Sequence, residues 1–141
     1  TTEIYTLSLH DALPISMHQV NESDKLLLIN NVSIYFDDLA LINFKHLNYS
    51  TDTAHFDKNL LTYPLHVRKW EKGDYFYPIG MKGKKKLSKF FKDEKYSLFQ
   101  KENIWLLCSG SDVIWVIGKR MDDRYKITNK TKHIIKATVQ T

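Results

Sequence analysis

Seven lysines fall within fourteen residues, at Lys82, Lys84, Lys85, Lys86, Lys89, Lys92 and Lys95, around the stretch Gly80-Met81-Lys82-Gly83. Glycines let a loop bring its backbone N–H groups close to an anion, a helix start adds further donors, and lysines contribute point charges. The ligand this calls for carries several phosphates. Neutralising them gives binding that is weakly sequence-selective and steeply salt-dependent. A nucleoside-triphosphate P-loop is excluded, because Gly80–Leu87 lacks its glycine spacing and its Lys-Ser/Thr pair. A solvated, charged helix face is the plain alternative for the same residues.

Other residue types offer less. Ser109-Gly110-Ser111-Asp112 is superficially similar to the Ser-Gly-Gly-x-Asp-Ser loop of pyrophosphatase-type adenylating enzymes, but it lacks the second glycine and the final serine. It sits between two apolar runs and reads as a hairpin turn. Cys108, at the end of one of those runs, reads as a small buried hydrophobe. Asp74, Asp122 and Asp123 lie among basic residues, which favours ion pairs or turns over acid–base work. His66 alternates with Arg68 in a strand and reads as a packing or phosphate-facing residue. Trp70, Trp105 and Trp115 have core spacing, although Trp70 or Tyr75, where exposed, would stack on a base. The six histidines are scattered singly, so no zinc spacing exists and no metal site is expected. No catalytic constellation assembles.

The charge distribution agrees with a polyanionic partner. Residues 1–66 hold three Lys/Arg against eight Asp/Glu, whereas residues 67–141 hold eighteen against eight, a net −5 followed by a net +10. The chain has 141 residues, 43% hydrophobic and 26% charged, the profile of a globular protein rather than a disordered one. Its longest uncharged apolar run, Ile104–Gly110, is far shorter than the roughly 20 residues of a membrane helix. A single cysteine excludes an internal disulfide framework and suits a reducing cytoplasm.

Several elements are needed to position the lysines. Lys25–Asn30 is a short apolar run, and Val32, Ile34 and Phe36 alternate as in a half-buried strand. Asp37-Asp38 predicts a turn, Leu39–Leu47 and Ala54–Asp57 predict strands, and Lys58-Asn59 predicts a turn. Tyr63–Trp70 predicts a strand with Leu65, Val67 and Lys69 on one face and His66, Arg68 and Trp70 on the other. Gly73-Asp74 should turn into a short aromatic strand, Tyr75–Tyr77, ended by Pro78. A helix should start near Lys86–Ser88, with Leu87, Phe90 and Phe91 on one face at i, i+3, i+4. A second short helix is expected near Tyr96–Lys101. Ile104–Cys108 and Val113–Ile117 should form a hairpin, and Thr131–Val139 a closing strand. The class expected is α+β: antiparallel sheets in a sandwich-like arrangement with one or two short helices. Residues 1–16 fit none of this. The string Thr6–Ser16 resembles translated sequencing-adapter DNA, so the segment is expected to be a non-native or disordered leader without function.

At Arg68–Phe91 the residues become specific. Arg68, Gly73-Asp74, Phe76, Pro78, Gly80-Met81, Gly83, the lysines, Leu87-Ser88 and Phe90-Phe91 follow one another as in the C-terminal domain of bacterial tRNA(Ile)-lysidine synthases. Trp115–Thr128 resembles the second half of that domain. The resemblance is strong over 65–138, extends to 23–64 as the region preceding the domain, and does not reach 1–16. It divides the chain into a leader (1–16), a small β-rich region (17–63) and a C-terminal tRNA-binding domain (64–141).

The resemblance implies a fold similar to a domain of the phenylalanyl-tRNA synthetase β subunit. The family's full enzyme uses ATP and magnesium to adenylate the wobble cytidine of an isoleucine tRNA, and lysine then displaces AMP. That chemistry belongs to an N-terminal domain with the Ser-Gly-Gly-x-Asp-Ser loop, which this chain lacks, so the chain alone is expected to be inactive and to need no cofactor. Its implied partners are tRNA(Ile), gripped near the acceptor stem, and the catalytic domain of the same protein, in the cytoplasm; pairing with a second copy stays open. The residues assigned to phosphate contact are Lys82, Lys84, Lys85, Lys86 and Lys89, supported by Arg68, Arg120, Arg124 and Lys126, with Gly80 and Gly83 allowing close backbone approach. Arg68 and Arg124 have a second reading, as ties to Asp74 or Asp122. The whole domain has one too, as a docking module without RNA contacts of its own.

Overall fold

The computed structural model describes residues 17–40 and 50–141. Expectations for 1–16 and for most of Leu39–Leu47 fall outside them. Among the described residues, eleven strands and two α-helices occur in the order β1 (Met17–Val20), β2 (Leu26–Ile29), β3 (Val32–Ala40), β4 (Thr53–Asp57), β5 (Leu65–Lys69), β6 (Tyr75–Phe76), β7 (Lys85–Lys86), α1 (Leu87–Asp93), α2 (Leu98–Glu102), β8 (Trp105–Ser109), β9 (Asp112–Val116), β10 (Arg120–Met121) and β11 (His133–Gln140).

All pairings are antiparallel. One sheet runs β1-β5-β8-β9-β10, the other β2-β3-β11-β4, and β6-β7 form a two-stranded ribbon. The class is therefore the expected α+β sandwich with short helices. The two sheets share an apolar core that includes Ile34, Phe56, Leu65, Val67, Leu107, Trp115 and Ala137. The opposite face of the five-stranded sheet is covered by α1, where Leu87, Phe90 and Phe91 pack with Phe76, Leu106, Cys108 and Val116. Being buried on both sides, β8 and β9 read as continuous apolar runs rather than alternating ones. At seven residues α1 is too short to persist alone. It is held by its three buried side chains, each worth about 1.5–3 kcal/mol of apolar burial.

Residues 17–63 and 64–141 build both sheets together: β1 pairs with β5, and β11 lies between β3 and β4. That pairing corrects the turn expected at Asp37-Asp38. β3 runs straight through it because β11 pairs along its whole length, setting Asp37 opposite Lys136 and Asp38 opposite Ile135. Lys58 Nζ also reaches Asp38 at 2.6 Å. The turn expected at Lys58-Asn59 is one turn of 3-10 helix, Lys58–Leu60, capped by Asp57, whose side chain accepts from Asn59 N–H. The strands β1 and β10 and the ribbon strand β7 have no counterpart in the sequence reading.

Candidate nucleic-acid interface

Register in the β6-β7 ribbon decides where the lysines go. Tyr75 lies opposite Lys86 and Phe76 opposite Lys85, and opposed residues of an antiparallel pair share a face. Phe76 is fully buried and meets Phe90 edge-on at 5.2 Å, so Lys85 is drawn inward with it. There its Nζ meets Asp93 at 2.7 Å, and Lys89 joins the same carboxylate at 2.9 Å from one helical turn away. Hydrogen bonds from Lys85 and Lys89 hold the Asp93 carboxyl down at about 2. Lys82, Lys84 and Lys86 are exposed, and among the described residues no carboxylate pairs with them. Lys84 Nζ stands 4.6 Å from the ring centre of Tyr75, itself exposed and edge-on to Tyr77 at 6.3 Å. The five assigned lysines thus divide into three without a described carboxylate and two that share one, Lys89 among these keeping an exposed side chain.

The loop that carries them is pinned at both ends. Ile79 N–H donates to the Met121 carbonyl at 2.9 Å, and Leu87 N–H donates to the Asp74 carbonyl at 2.9 Å. The second bond occupies a donor that the sequence reading left for phosphate at the helix start. Gly80 and Gly83 adopt φ of 79° and 80°, the left-handed region that L side chains avoid, and a Cβ at either would meet only open space. Turn geometry, not crowding, is what requires glycine.

The arginines follow their second reading. Arg68 donates twice to Asp74, at 2.9 and 3.0 Å, a two-pronged pair that braces the turn before β6. The Asp74 hydrogen bonds raise its pKa further. Asp74 also accepts from Glu71 N–H at 2.7 Å. Arg124 binds the buried Asp122 and also Asp112, while its guanidinium covers the Tyr77 ring at 4.3 Å. Burial works against its charge, yet Asp122 and Asp112 together raise its pKa. Tyr125 hydroxyl donates to Asp112, and burial, followed by that bond, pushes its pKa up to about 12. Lys126 pairs with Asp123 at 2.8 Å.

Arg120 differs from these. Among the described residues it has no carboxylate partner, and its guanidinium lies 5.8 Å from the Phe90 ring, which Lys85 faces at 5.9 Å. Beside it Lys119, absent from the sequence-based assignment, stands over Tyr96 at 5.0 Å, also without a carboxylate. Its signal in the sequence is only its place in Gly118-Lys119-Arg120, where Gly118 at φ 79° turns the chain after β9. Trp70 packs edge-on against Phe91 at 5.1 Å, so of the two potential stacking residues Tyr75 is the exposed one. Cys108 is buried beside Arg68, and burial pushes its thiol up to about 11. Among the described residues no group of three or more His, Cys, Asp or Glu could hold a metal, and no helix is long and apolar enough to cross a membrane.

Comparisons place this geometry among known proteins. The TilS substrate C-terminal domain family matches residues 65–137. A tRNA(Ile)-lysidine synthase of Parabacteroides distasonis is 49% identical over 82 residues, which cover 58% of this chain and 19% of that protein. One from Clostridium acetobutylicum is 30% identical over 125 residues, covering 89% of this chain and 25% of that protein. The chain thus spans about a fifth to a quarter of these relatives. A crystal structure of a TilS C-terminal domain superposes with a TM-score of 0.74 at 20% identity, covering 89% of this chain and 97% of that one, and it agrees with the sandwich fold. Spacing, sheet order and family match converge, and the chain belongs to the TilS substrate C-terminal domain family.

Proposed function

We propose that this chain binds the body of a tRNA, on its acceptor-stem side, and orients it for a lysidine-forming catalytic domain elsewhere in the same protein. The observation that carries the reading is the outward trio Lys82, Lys84 and Lys86, unpaired with any described carboxylate and flanked by the exposed Tyr75. A paired acceptor stem is A-form, with a major groove closed to side chains, so phosphates, 2′-hydroxyls and shape are what a protein can read. Lysines on a pinned loop meet that need, and Lys119 and Arg120 extend the cationic surface past α1. The cations that have carboxylate partners, Lys85, Lys89, Arg68, Arg124 and Lys126, brace the ribbon and its neighbouring turns.

The test is filter binding of a tRNA(Ile) transcript to the chain across a salt series. Affinity in the micromolar range that falls steeply between about 50 and 200 mM salt supports the reading. Affinity that is negligible at low salt refutes it.

A docking role has its own support on a different surface. Leu28 and Phe99, 65% and 74% exposed, line a groove between the β2-β3 hairpin and α2, and Leu98 beside Phe99 in α2 is 68% exposed. Large apolar side chains gathered this way suit contact with the remainder of a longer protein.

A further inference from the structure

The two sheets of the sandwich end together on one flank at β1 and β2, the last strands of their sheets among the described residues. Neither Met17–Val20 nor Leu26–Ile29 contains Pro, Asp, Glu, Lys or Arg. Such residues are what usually guards an open edge, whose unpaired backbone groups accept a further strand. Phe36 N–H donates to the Lys25 carbonyl at 2.9 Å, which sets the alternation along the β2-β3 hairpin. Leu27 and Ile29 therefore bond to β3, and Leu26 and Leu28 turn their N–H and C=O groups to the open side. Beside this edge lies the groove, about 760 Å³, between the hairpin and α2. Trp105 lines it, with Lys69 Nζ 4.0 Å from its ring centre and His18 edge-on at 5.5 Å. The helix α2 buries none of its five residues, yet it is capped at both ends. Ser97 and Gln100 cap its start reciprocally, and Lys69 Nζ and the Asn103 side chain donate to the Glu102 and Phe99 carbonyls at 2.8 Å each. These bonds, not packing, fix a helix too short to persist alone and hold Leu98 and Phe99 outward.

We infer that this flank seats a preceding part of the same polypeptide: an extended segment that adds to the β2 edge and lays apolar side chains against Leu28 and Phe99. The inference rests on the reading above that the catalytic domain lies elsewhere in the same protein. Two observations choose this occupant. The matched part is about a fifth to a quarter of the relatives' length, so several times this chain's own length is there to be seated. The register then places the tether. Met17 lies opposite Arg68, and the next residue of β5, Lys69, lies opposite Trp105. β1 therefore begins at the Lys69–Trp105 end of its sheet, beside the groove, and a domain joined ahead of it is held next to its seat. RNA does not suit the flank. Lys69 is the one lysine that lines the groove, and its ammonium is already spent on the Glu102 carbonyl and the Trp105 ring.

Amide hydrogen exchange compares this chain with the complete protein that contains it, both free of RNA. Peptides covering Leu26–Ile29 and Leu98–Glu102 should exchange about tenfold more slowly in the complete protein, and the lysine loop at 82–84 should exchange alike in both. Leu28→Asp/Phe99→Asp changes two exposed positions. It should leave the urea midpoint of the chain alone unchanged and remove the protection in the complete protein. Equal exchange in the two proteins overturns the inference, as does protection that survives the double variant. Protection of the chain alone that grows with its concentration assigns the flank to a second copy and overturns it too. Filter binding of tRNA(Ile) to the same samples tests the reading above separately: protection without tRNA affinity supports the docking and overturns that reading alone.

Discussion

Asp122 and Arg124, two residues apart, close a ring around the junction between the glycine loop and β10. Asp122 is fully buried; its carboxylate accepts from Arg124 Nε at 3.0 Å, Arg124 N–H at 2.6 Å and Tyr77 N–H at 2.9 Å. Tyr77 begins the stretch that leads into the lysine loop, so one carboxylate sets where that loop leaves the sheet. Asp122→Ala leaves the N–H groups of Tyr77 and Arg124 without their acceptor and takes from the Arg124 guanidinium one of its two carboxylates, and should cost about 2–4 kcal/mol. The check is the urea midpoint, with an unchanged slope showing that the same fold is being melted.

Asp93 offers a test in the opposite direction. It sets one negative charge between Lys85 and Lys89, so Asp93→Asn should raise the net positive charge beside the outward trio by one, tighten RNA binding a few-fold, and steepen the salt slope by up to about 0.7–0.9. A slope identical to that of the parent chain would mean that neither lysine reaches RNA.

The same pair makes stability depend on pH. The folded Asp93 carboxyl titrates at about 2, below its ordinary 3.8. Its contribution is therefore fully present above about pH 4 and lost as pH falls through 2. Urea midpoints of the parent and of Asp93→Asn should differ at pH 5 and converge near pH 2.

Cys108 should be silent in the native state. Its thiol is buried and raised to about 11, and only thiolate reacts with disulfide reagents. At pH 8 labelling should be at least ~100-fold slower than for free cysteine, and should reach one thiol per chain in denaturant. Rapid native labelling would contradict the packing of β8 under α1.

What could be read from the chain alone followed local periodicity. The i, i+3, i+4 spacing of Leu87, Phe90 and Phe91 and the alternation of Leu65–Trp70 both carry through to the buried faces. Asp37-Asp38 misleads because its strand depends on β11, about a hundred residues later in the chain, and no local signal records that partner. Within the site, the presence of a cationic loop is legible, but its division is not. Whether a lysine points outward depends on the register of a two-residue ribbon, which places Lys85 with Phe76 and Lys86 with Tyr75. Arg68 and Arg124 carry the same charge as Arg120, and only the folded chain reveals which of them already has a carboxylate.

The most direct measurement sets two charge-matched triple variants side by side. Lys82→Glu/Lys84→Glu/Lys86→Glu alters the outward trio, and Lys25→Glu/Lys130→Glu/Lys132→Glu alters three exposed lysines on the segments leading into β2 and β11 of the other sheet. Both change the net charge equally. The loop triple is expected to weaken tRNA binding at 100 mM salt by more than tenfold and the distal triple by less than about threefold. Equal losses would show attraction to net charge alone, and contradict a dedicated lysine surface.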